Sequence, residues 1–414
     1  MSLDVATIRK DFPTLAREIH GQRLVYLDSS ASSQTAQIVL DVMDDYYVRC
    51  RSNVHRGVYT LAEEATDLFE GGRRTIAELV NSQVEGTVFT KNSTEALNLV
   101  AYSWVRRQLG PGDVLLTTHM EHHANFVPWL MAREDLGIEL RVAPITGDGL
   151  LDMDALSDML ADGKVKVLAV THVSNVLGTI NDVKSLAAMA REANPDCRVV
   201  VDGSQSVPHF PVDFADLDVD FYAFTGHKML GPTGIGVLLA RPELLGQMPP
   251  FLTGGEMILD VTLDGATWNE PPHKFEAGTP MIAEAAGLGA AARYLMDLGM
   301  DNVRAHELSI MPVFLDALTN EEGVHVLGPM NPEQRSGPIA FTLDGVHPHD
   351  IGAMLDQHGV CVRVGHHCAK PLLRHLGLSS TARASLYVYN DVDDLEPLLD
   401  GIRHARSFFA RPSA

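Results

Sequence analysis

Short apolar runs alternate with helical patterns between about residues 87 and 240 of the chain. The runs are rich in β-branched and aromatic residues, and their apolar positions are continuous instead of alternating with polar ones. Such runs are typical of strands buried on both faces of a mostly parallel sheet, with helices such as 94–108 and 183–193 as crossovers. The predicted strands are residues 87–90, 113–118, 139–143, 165–172, 197–202, 220–225 and 234–240.

The pattern changes after about residue 283. A long helical stretch continues to about residue 318, and a last helix is predicted near 392–408. A chain of 414 residues is too long for one simple core. We therefore expect an α/β fold with a large domain (26–285), whose seven-stranded sheet is sandwiched by helices, and a smaller C-terminal α+β domain (286–414). Residues 1–25 are expected to pack with the small domain, whose predicted strands are 324–328, 338–343, 360–364 and 384–389.

Composition narrows the class of protein. Hydrophobic residues make up 45% of the chain and charged residues 21%, as in ordinary globular enzymes. The 32 basic and 54 acidic side chains give a net charge of −22, which would repel nucleic acid or an anionic membrane, so neither is expected as a partner. No apolar run approaches the roughly 20 residues of a membrane span. Without a signal-peptide pattern, and with four cysteines that form no C-x-x-C pair, we expect a cytoplasmic protein with free thiols.

Polar side chains follow the predicted strands, at the edge where open α/β sheets bind ligands. Asp202 ends one strand, and Lys228 comes just after the next strand, 26 residues later. A lysine whose pKa is lowered can form a Schiff base, and a carboxylate can keep a pyridine nitrogen protonated. The pair therefore suits a pyridoxal cofactor, although a surface lysine and a turn aspartate would show the same spacing.

Other strand ends carry groups that could hold such a cofactor. Thr94 opens a helix, where free N–H groups favour a phosphate, and Thr225 and His227 could serve the same phosphate. An imidazole suits stacking on a pyridine ring, and only one of His122 and His123 should face the site because adjacent side chains on an extended segment alternate. Helix capping or an ordinary loop position would explain each of these residues as well.

Two further polar residues could bind the carboxylate of a substrate. Asn175 could donate a hydrogen bond to that carboxylate or to the phenolic oxygen of the cofactor. Arg383, which is predicted to precede a strand, offers a bidentate fork for an α-carboxylate. An Asx turn and a rim salt bridge are the alternative interpretations.

The stretch VRVGHHCAKP places Cys368 behind two histidines and Arg363. Cys368 could be a buried thiol, a metal ligand or a nucleophile, and its polar neighbours would favour the thiolate. A metal site formed with Cys361, His366 and His367 is disfavoured, because Cys361 lies in a predicted strand and adjacent histidines are poor joint ligands. No metal is therefore expected, and Cys361 is interpreted as a core residue.

Eight motifs occur along the chain in the order of one known family. They are VHRGVYTLAEEATD, EHHANFVPW, HVSNVLGT, VDGSQSVPH, FTGHKMLGPTGIGVL, FEAGTP, RVGHHCA and RASLYVYN. From YLDSSASSQ to the last helix, the chain resembles the Suf-type (group II) cysteine desulfurases. These belong to the class V aminotransferase branch of the fold-type I transferases that depend on pyridoxal 5'-phosphate (PLP). The resemblance implies that fold, a homodimer, and PLP bound covalently to Lys228.

The resemblance also implies which residues hold the cofactor. Asp202 would pair with the pyridine nitrogen, His122 would stack on the ring and shuttle protons, and Gln205 would hydrogen-bond the phenolic oxygen. The implied phosphate ligands are Thr94, Thr225, His227 and, from the neighbouring subunit, Thr279 of the AGTP motif.

The implied reaction converts L-cysteine to L-alanine. Cys368 would take up the sulfur as a persulfide and pass it to a sulfur-acceptor protein of the Suf system for iron–sulfur cluster assembly. A selenocysteine lyase or another class V PLP enzyme, a metal-binding sensor and a catalytically silent scaffold are the alternatives. The chain departs from the family pattern at Thr225, where serine is common, and at Glu256 and Lys370, which bear on the acceptor surface. The implied substrate residues are Asn175, Arg383, Arg363, His55 and Arg56.

Overall fold

The computed structural model describes residues 3–409, and its centre is a seven-stranded sheet in which every strand expected between residues 87 and 240 is present. The strands are β1 (Thr87–Thr90), β2 (Val114–Thr118), β3 (Glu139–Ala143), β4 (Val165–Thr171), β5 (Arg198–Asp202), β6 (Phe221–Thr225) and β7 (Gly236–Ala240). Their spatial order is β1–β7–β6–β5–β4–β2–β3. β7 runs antiparallel to its neighbours β1 and β6, and the other pairs are parallel.

Ten helices of eight or more residues surround the sheets in the described part of the chain. The expected crossover 183–193 is α6, which begins where the Asp182 carboxylate accepts the N–H of Ser185 at 3.1 Å. The expected helix 94–108 begins as α3, continues through a π-helical turn and ends at Gln108. The ten are α1 (Gln37–Arg49), α2 (Thr60–Leu79), α3 (Ser93–Val100), α4 (Val127–Leu136), α5 (Met153–Leu160), α6 (Val183–Ala193), α7 (Ile282–Leu298), α8 (Met300–Asn320), α9 (Pro348–Gln357) and α10 (Leu395–Phe409).

Helices α2 and α7 pack with their backbones in near contact. A Cβ atom at Gly72 of α2 would lie 2.3 Å from the carbonyl oxygen of Ala285 in α7. One residue earlier in α2, a Cβ at Gly71 would meet only the Nη2 of Arg74, at 3.8 Å. The close approach therefore requires glycine at residue 72 but not at residue 71.

We expect Gly72→Ala to lower the free energy of unfolding by about 1–3 kcal/mol, because overpacking would force the two helices apart. The matched Gly71→Ala variant should raise it by up to about 1 kcal/mol, since alanine favours the helix and has room there. Urea unfolding of both variants checks this. Equal stability of the two variants would contradict the close approach.

A second sheet of four strands lies in the C-terminal part of the chain, where the small domain is expected. They are β8 (Val324–Val326), β9 (Pro338–Leu343), β10 (Arg363–Gly365) and β11 (Thr381–Ser385), in the order β8–β9–β11–β10 with antiparallel pairing. Two expected strands have different bounds. The run 384–389 leaves the sheet after Ser385, so Arg383 lies within a strand instead of before it. The run 360–364 is divided between two sheets. Val360–Cys361 pairs in parallel with Val25–Tyr26, and the four-stranded sheet begins at Arg363.

The N-terminal segment contacts residues of the small domain. Arg9 donates to the carbonyl oxygen of Tyr389 at 3.1 Å, and Arg23 pairs with Asp394 at 2.6 Å. The expected boundary at residue 285 falls within α7, and residues 1–2 and 410–414 of the expected ranges lie outside the described residues. The division into domains stays a prediction.

Shorter elements complete the fold. No helix within residues 3–409 combines the length and the apolar character that crossing a membrane requires. Two-stranded ribbons join Glu18–Ile19 to Gln22–Arg23 and Ile258–Val261 to Ala266–Trp268. The shorter helices are Val5–Ile8, Phe214–Leu217, Pro242–Gln247 and Lys370–His375.

Candidate active site

Lys228 and Asp202 line one cavity at the carboxyl edge of the central sheet. Asp202 is the last residue of β5, and Lys228 lies in the turn Gly226–Lys228 that follows β6. Burial is the largest cause that lowers the pKa of Lys228 to about 8; Arg383 and Arg363 lower it further, and Asp202 opposes them. More of this amine is therefore unprotonated near neutral pH than in an ordinary lysine. The other residues lining the cavity are Ser93, His122, Thr171, Val173, Asn175, Ser204 and Gln205.

His122 presents its ring to this cavity, whereas His123 does not line it. The Nδ1 of His122 accepts the backbone N–H of Ala124 at 3.0 Å, which leaves the ring proton on Nε2. Burial lowers the pKa of His122 to about 3, and the charge of Lys228 adds to this effect. The ring is therefore neutral at physiological pH, and its Nε2–H can act in hydrogen bonding or proton transfer.

Several buried polar atoms around Lys228 have no hydrogen-bond partner among the described residues. Leaving such groups unpaired inside a protein is costly, so their concentration at one cavity indicates a polar ligand. Asn175 and Gln205 each use their amide NH₂ groups within the chain, donating at 2.7 Å to His367 and at 2.8 Å to Ser30. The unpartnered atoms are Asn175 Oδ1, Ser204 Oγ, Gln205 Oε1 and Thr225 Oγ1.

Arg383 is fully buried within β11. Its Nη1 donates to the carbonyl oxygen of Asn175 at 2.8 Å, its Nη2 donates to Asp28 at 3.3 Å, and its Nε has no partner among the described residues. Burial lowers the pKa of Arg383 to about 10, so the guanidinium remains charged near neutral pH. A buried cation with a spare donor is well suited to bind a carboxylate.

The cysteine loop, residues 366–369, follows β10 and faces the same site. Asn175, which lines the Lys228 cavity, donates to the carbonyl oxygen of His367, the residue before Cys368. The Nη2 of Arg363 lies 3.5 Å from the sulfur of Cys368, which places a cation beside the thiol. His367 and Cys368 both have left-handed backbones, with φ of 50° and 54°. Such strain in residues other than glycine is found where a site holds a loop in place.

The candidates for the phosphate lie at the start of α3, at the end of β6 and in the turn that carries Lys228. Thr94 lines a groove together with His122 and Cys368, and it lies in the first turn of α3. Thr225 ends β6 next to the lysine turn. The Nδ1 of His227 lies 3.4 Å from the hydroxyl of Ser32, and burial lowers the pKa of this histidine to about 4, with Lys228 adding to the effect. His227 is therefore a neutral hydrogen-bonding group.

Three expected site residues lie elsewhere in the chain. Thr279 is exposed and lines a separate pocket. His55 lies 2.9 Å from a carboxylate oxygen of Glu70, and Arg56 lies 3.1 Å from one of Glu256. No hydrogen bond or ion pair within residues 3–409 connects these three residues to Lys228 or Cys368. Glu256 therefore pairs with both His55 and Arg56, the two expected substrate residues.

The four residues of the metal-site interpretation do not gather into one cluster. Cys361 is partly buried in the short strand beside Tyr26, and the Nε2 of His367 lies 2.8 Å from the hydroxyl of Thr381. The described residues whose ligand atoms do lie within 4.8 Å of one another are His55, Glu70 and His273.

Ser204 lines the cavity as well, although it is not among the residues expected from the sequence. Its N–H donates to Asp202 at 3.0 Å, and its hydroxyl is one of the unpartnered atoms. Ser204 comes two residues after the end of β5, so the rule that led to Asp202 could also have found it. Ser93 and Thr171 line the cavity for the same reason, at the start of α3 and the end of β4.

Residues 25–398 match the family model described as aminotransferase class-V. The chain belongs to the class-V aminotransferase family. The match covers most of the chain, including β1–β11 and both sides of the site. It confirms the branch that the motifs indicate.

Relatives within this family narrow the reaction class. The "Probable cysteine desulfurase 2" of Mycobacterium leprae is 49% identical, over 99% of this chain and 98% of the relative. The apo structure of a cysteine desulfurase from Thermococcus onnurineus NA1 has a TM-score of 0.92 at 39% identity and covers 98% of both chains. A C-DES mutant with glycine covalently linked to its PLP cofactor has a TM-score of 0.80 at 25% identity, over 95% of this chain and 98% of that chain. The expected fold and cysteine desulfurase class are confirmed, whereas the Suf-type subgroup stays a prediction.

Proposed function

We propose that this class-V family member is a PLP-dependent desulfurase that converts L-cysteine to L-alanine and retains the sulfur on Cys368. One observation carries the proposal. Asn175 lines the cavity of Lys228 and Asp202 and also donates to the backbone of the cysteine loop, so that an amine, a carboxylate and a reactive thiol serve one site.

The residues around Lys228 fit PLP. Lys228 supplies an amine with a lowered pKa for the aldehyde, Asp202 a buried carboxylate for the ring nitrogen, and His122 a neutral ring for stacking. Gln205 and Thr225 offer unpartnered buried oxygens for the polar substituents. When bound, PLP supplies an electron-accepting ring that stabilises negative charge on the α-carbon of an amino acid. The start of α3, with Thr94 and the neutral His227, suits the phosphate.

We assign the orientation of the substrate to Arg383, the buried arginine. Arg383 donates to the backbone of Asn175, and its Nε and the Oδ1 of Asn175 both lack a partner among the described residues. A charged guanidinium there binds the α-carboxylate of L-cysteine and so fixes which way the side-chain sulfur points. Lys228 acts on the proton of the α-carbon, and His122 carries an exchangeable proton on Nε2.

The sulfur step belongs to Cys368. Its thiolate, held beside Arg363, attacks the sulfur of the substrate. A sulfur–sulfur bond forms as the carbon–sulfur bond breaks, and the released carbon keeps that electron pair and takes up a proton to give the methyl group of alanine. The protein is left with a persulfide on Cys368, a reversible modification of cysteine. An acceptor thiol then removes the outer sulfur.

The decisive experiment incubates the purified holoenzyme with L-cysteine and no acceptor. One alanine should be released per persulfide in the first turnover, and peptide mass spectrometry should find one added sulfur atom on Cys368. Alanine without a persulfide would contradict the proposal. L-selenocysteine serves as the second substrate, and a strong preference for it would favour the selenocysteine lyase instead.

The remaining parts of the proposal concern partners, location and domains. A homodimer is supported by Thr279, His55 and Arg56, which make no hydrogen bond or ion pair with Lys228 or Cys368 among the described residues and are proposed to serve the site of a second copy. A Suf acceptor protein that feeds iron–sulfur cluster assembly is proposed as the destination of the sulfur.

Four free thiols among the described residues are typical of a reducing cytoplasm, which is the proposed location. The division at residue 285 is proposed to run through α7.

A further inference from the structure

His123 is the histidine of the pair that does not line the Lys228 cavity, and the proposed reaction gives it no role. It begins the short turn His123–Asn125 between β2 and α4, next to His122. Its surroundings are those of the cysteine loop. The ring lies 5.7 Å, centroid to centroid, from the ring of His366.

Two hydrogen bonds join His123 to the backbone around Cys368. The backbone N–H of His123 donates to the carbonyl oxygen of Cys368 at 2.7 Å. The Nε2 of His123 accepts the backbone N–H of Lys370 at 3.1 Å, across 247 residues of sequence. His123 is therefore hydrogen-bonded to the residues on both sides of Ala369. Burial lowers the pKa of His123, with His366 and Lys370 adding to the effect, so Nε2 is free to accept.

The cysteine loop needs such support from outside. His367 and Cys368 are both in the left-handed region, and this conformation persists only where surrounding contacts hold it. Within the loop, the Cys368 N–H donates to the Nδ1 of His366 at 3.1 Å. From the large domain, Asn175 holds the carbonyl oxygen of His367, and His123 holds the residues after it. Asn175 also lines the Lys228 cavity, whereas His123 does not, so His123 contacts the loop from outside the proposed substrate site.

We propose that His123 is a positioning residue that aims the Cys368 thiol at the sulfur of the substrate. The inference rests on the proposed function, because it presumes that Cys368 is the attacking group. It concerns orientation and not substrate binding, which belongs to Arg383 and Asn175. A loosened loop should therefore slow persulfide formation and leave the binding of L-cysteine unchanged.

The test compares His123→Leu with His123→Gln in the holoenzyme. Leucine keeps the backbone bond to Cys368 but removes the acceptor for Lys370. Glutamine places an amide oxygen near the position of Nε2 and can accept that N–H. His375→Leu is the matched control, because His375 is exposed and its ring stacks on that of His119 at 4.3 Å, without a hydrogen bond to the cysteine loop among the described residues.

We expect His123→Leu to lower the single-turnover rate of persulfide formation roughly tenfold, with a KM for L-cysteine close to that of the unaltered protein. His123→Gln should recover most of that rate, and His375→Leu should leave it unchanged. Hydrogen–deuterium exchange should be faster at the Lys370 amide in His123→Leu alone. This exchange rate reports the hydrogen bond between Lys370 and His123 independently of turnover.

Three results would overturn the positioning role: unchanged persulfide formation in His123→Leu, a glutamine variant as slow as the leucine variant, or an equal loss in His375→Leu. The failure of the proposed function looks different. In that case the unaltered protein itself forms no persulfide on Cys368, whatever residue stands at position 123.

Discussion

Replacing Cys368 with alanine is expected to abolish persulfide formation and to lower the rate of alanine release from L-cysteine by roughly three orders of magnitude or more. The thiolate is the group that attacks the sulfur, and no other thiol can take its place. Cys50 and Cys197 are buried, and burial raises the pKa of Cys197 to about 12. Burial also raises the pKa of Cys361, which lies in the short strand beside Tyr26.

Cys361→Ala is the matched control for this variant. It removes a partly buried thiol from the same domain, only seven residues earlier in the sequence, and should retain nearly full activity. Cofactor absorbance and circular dichroism should be unchanged in Cys368→Ala, because alanine leaves the loop backbone in place. The assay follows alanine by chromatography and sulfane sulfur by alkylation and mass spectrometry. Alanine release at full rate by Cys368→Ala would mean that the sulfur leaves without a protein nucleophile.

The central sheet could be predicted because its strands are buried on both faces, which gives continuous apolar runs with clear ends. The same signal misled at residues 384–389. Leu386 to Tyr389 are all buried, as in a strand, but the sheet ends at Ser385. The N–H of Tyr387 is instead bound by the side chain of Asn390, and the hydroxyl of Tyr389 contacts Ser29. A buried turn and a buried strand have the same hydropathy, so only the backbone partners distinguish them.

The site was predictable where it follows from strand ends. Asp202 ends one strand of the sheet, Lys228 and Asn175 follow two others, and the topology brings those ends together. The role proposed for His123 could not be predicted, since it depends on contacts with Cys368 and Lys370 from the other end of the chain. Local pattern carries no information about such a contact.

Three of the expected site residues could be predicted only from the family resemblance. Thr279, His55 and Arg56 have no local feature that marks them as site residues, and within one chain they contact other groups. His55 and Arg56 both pair with Glu256, at 3.5 Å and 3.1 Å, so the departure at Glu256 bears on the orientation of both. If they serve the site of a second copy, the geometry of that site depends on contacts made inside the first.

Both Lys228→Ala and Lys228→Arg are expected to lower turnover of L-cysteine by roughly three orders of magnitude or more and to remove the absorption of cofactor bound to the amine. Alanine lacks the amine. Arginine keeps a cation but remains protonated, so it can neither bond to an aldehyde nor accept the α-proton. Lys184→Ala is the control, since Lys184 is exposed and pairs only with Asp216 on the surface. Full absorption in Lys228→Arg would assign the cofactor to another lysine.

The pH dependence of PLP attachment is a second test of the role of Lys228. Burial lowers the pKa of the Lys228 amine to about 8, against an ordinary lysine value of 10.5. The reactive form is the neutral amine, so the rate at which apo-protein takes up PLP should rise with pH and reach half of its maximum near pH 8. The charges of Arg383 and Arg363 contribute to this lowering, while Asp202 opposes it. Asp202→Asn should therefore move the midpoint to lower pH, because it removes the carboxylate that, of the neighbouring charges, does most to stabilise the ammonium. A midpoint that stays near 10.5 in the unaltered protein, or one that moves upward in Asp202→Asn, would contradict the buried, cation-lined setting from which the chemistry of Lys228 is derived.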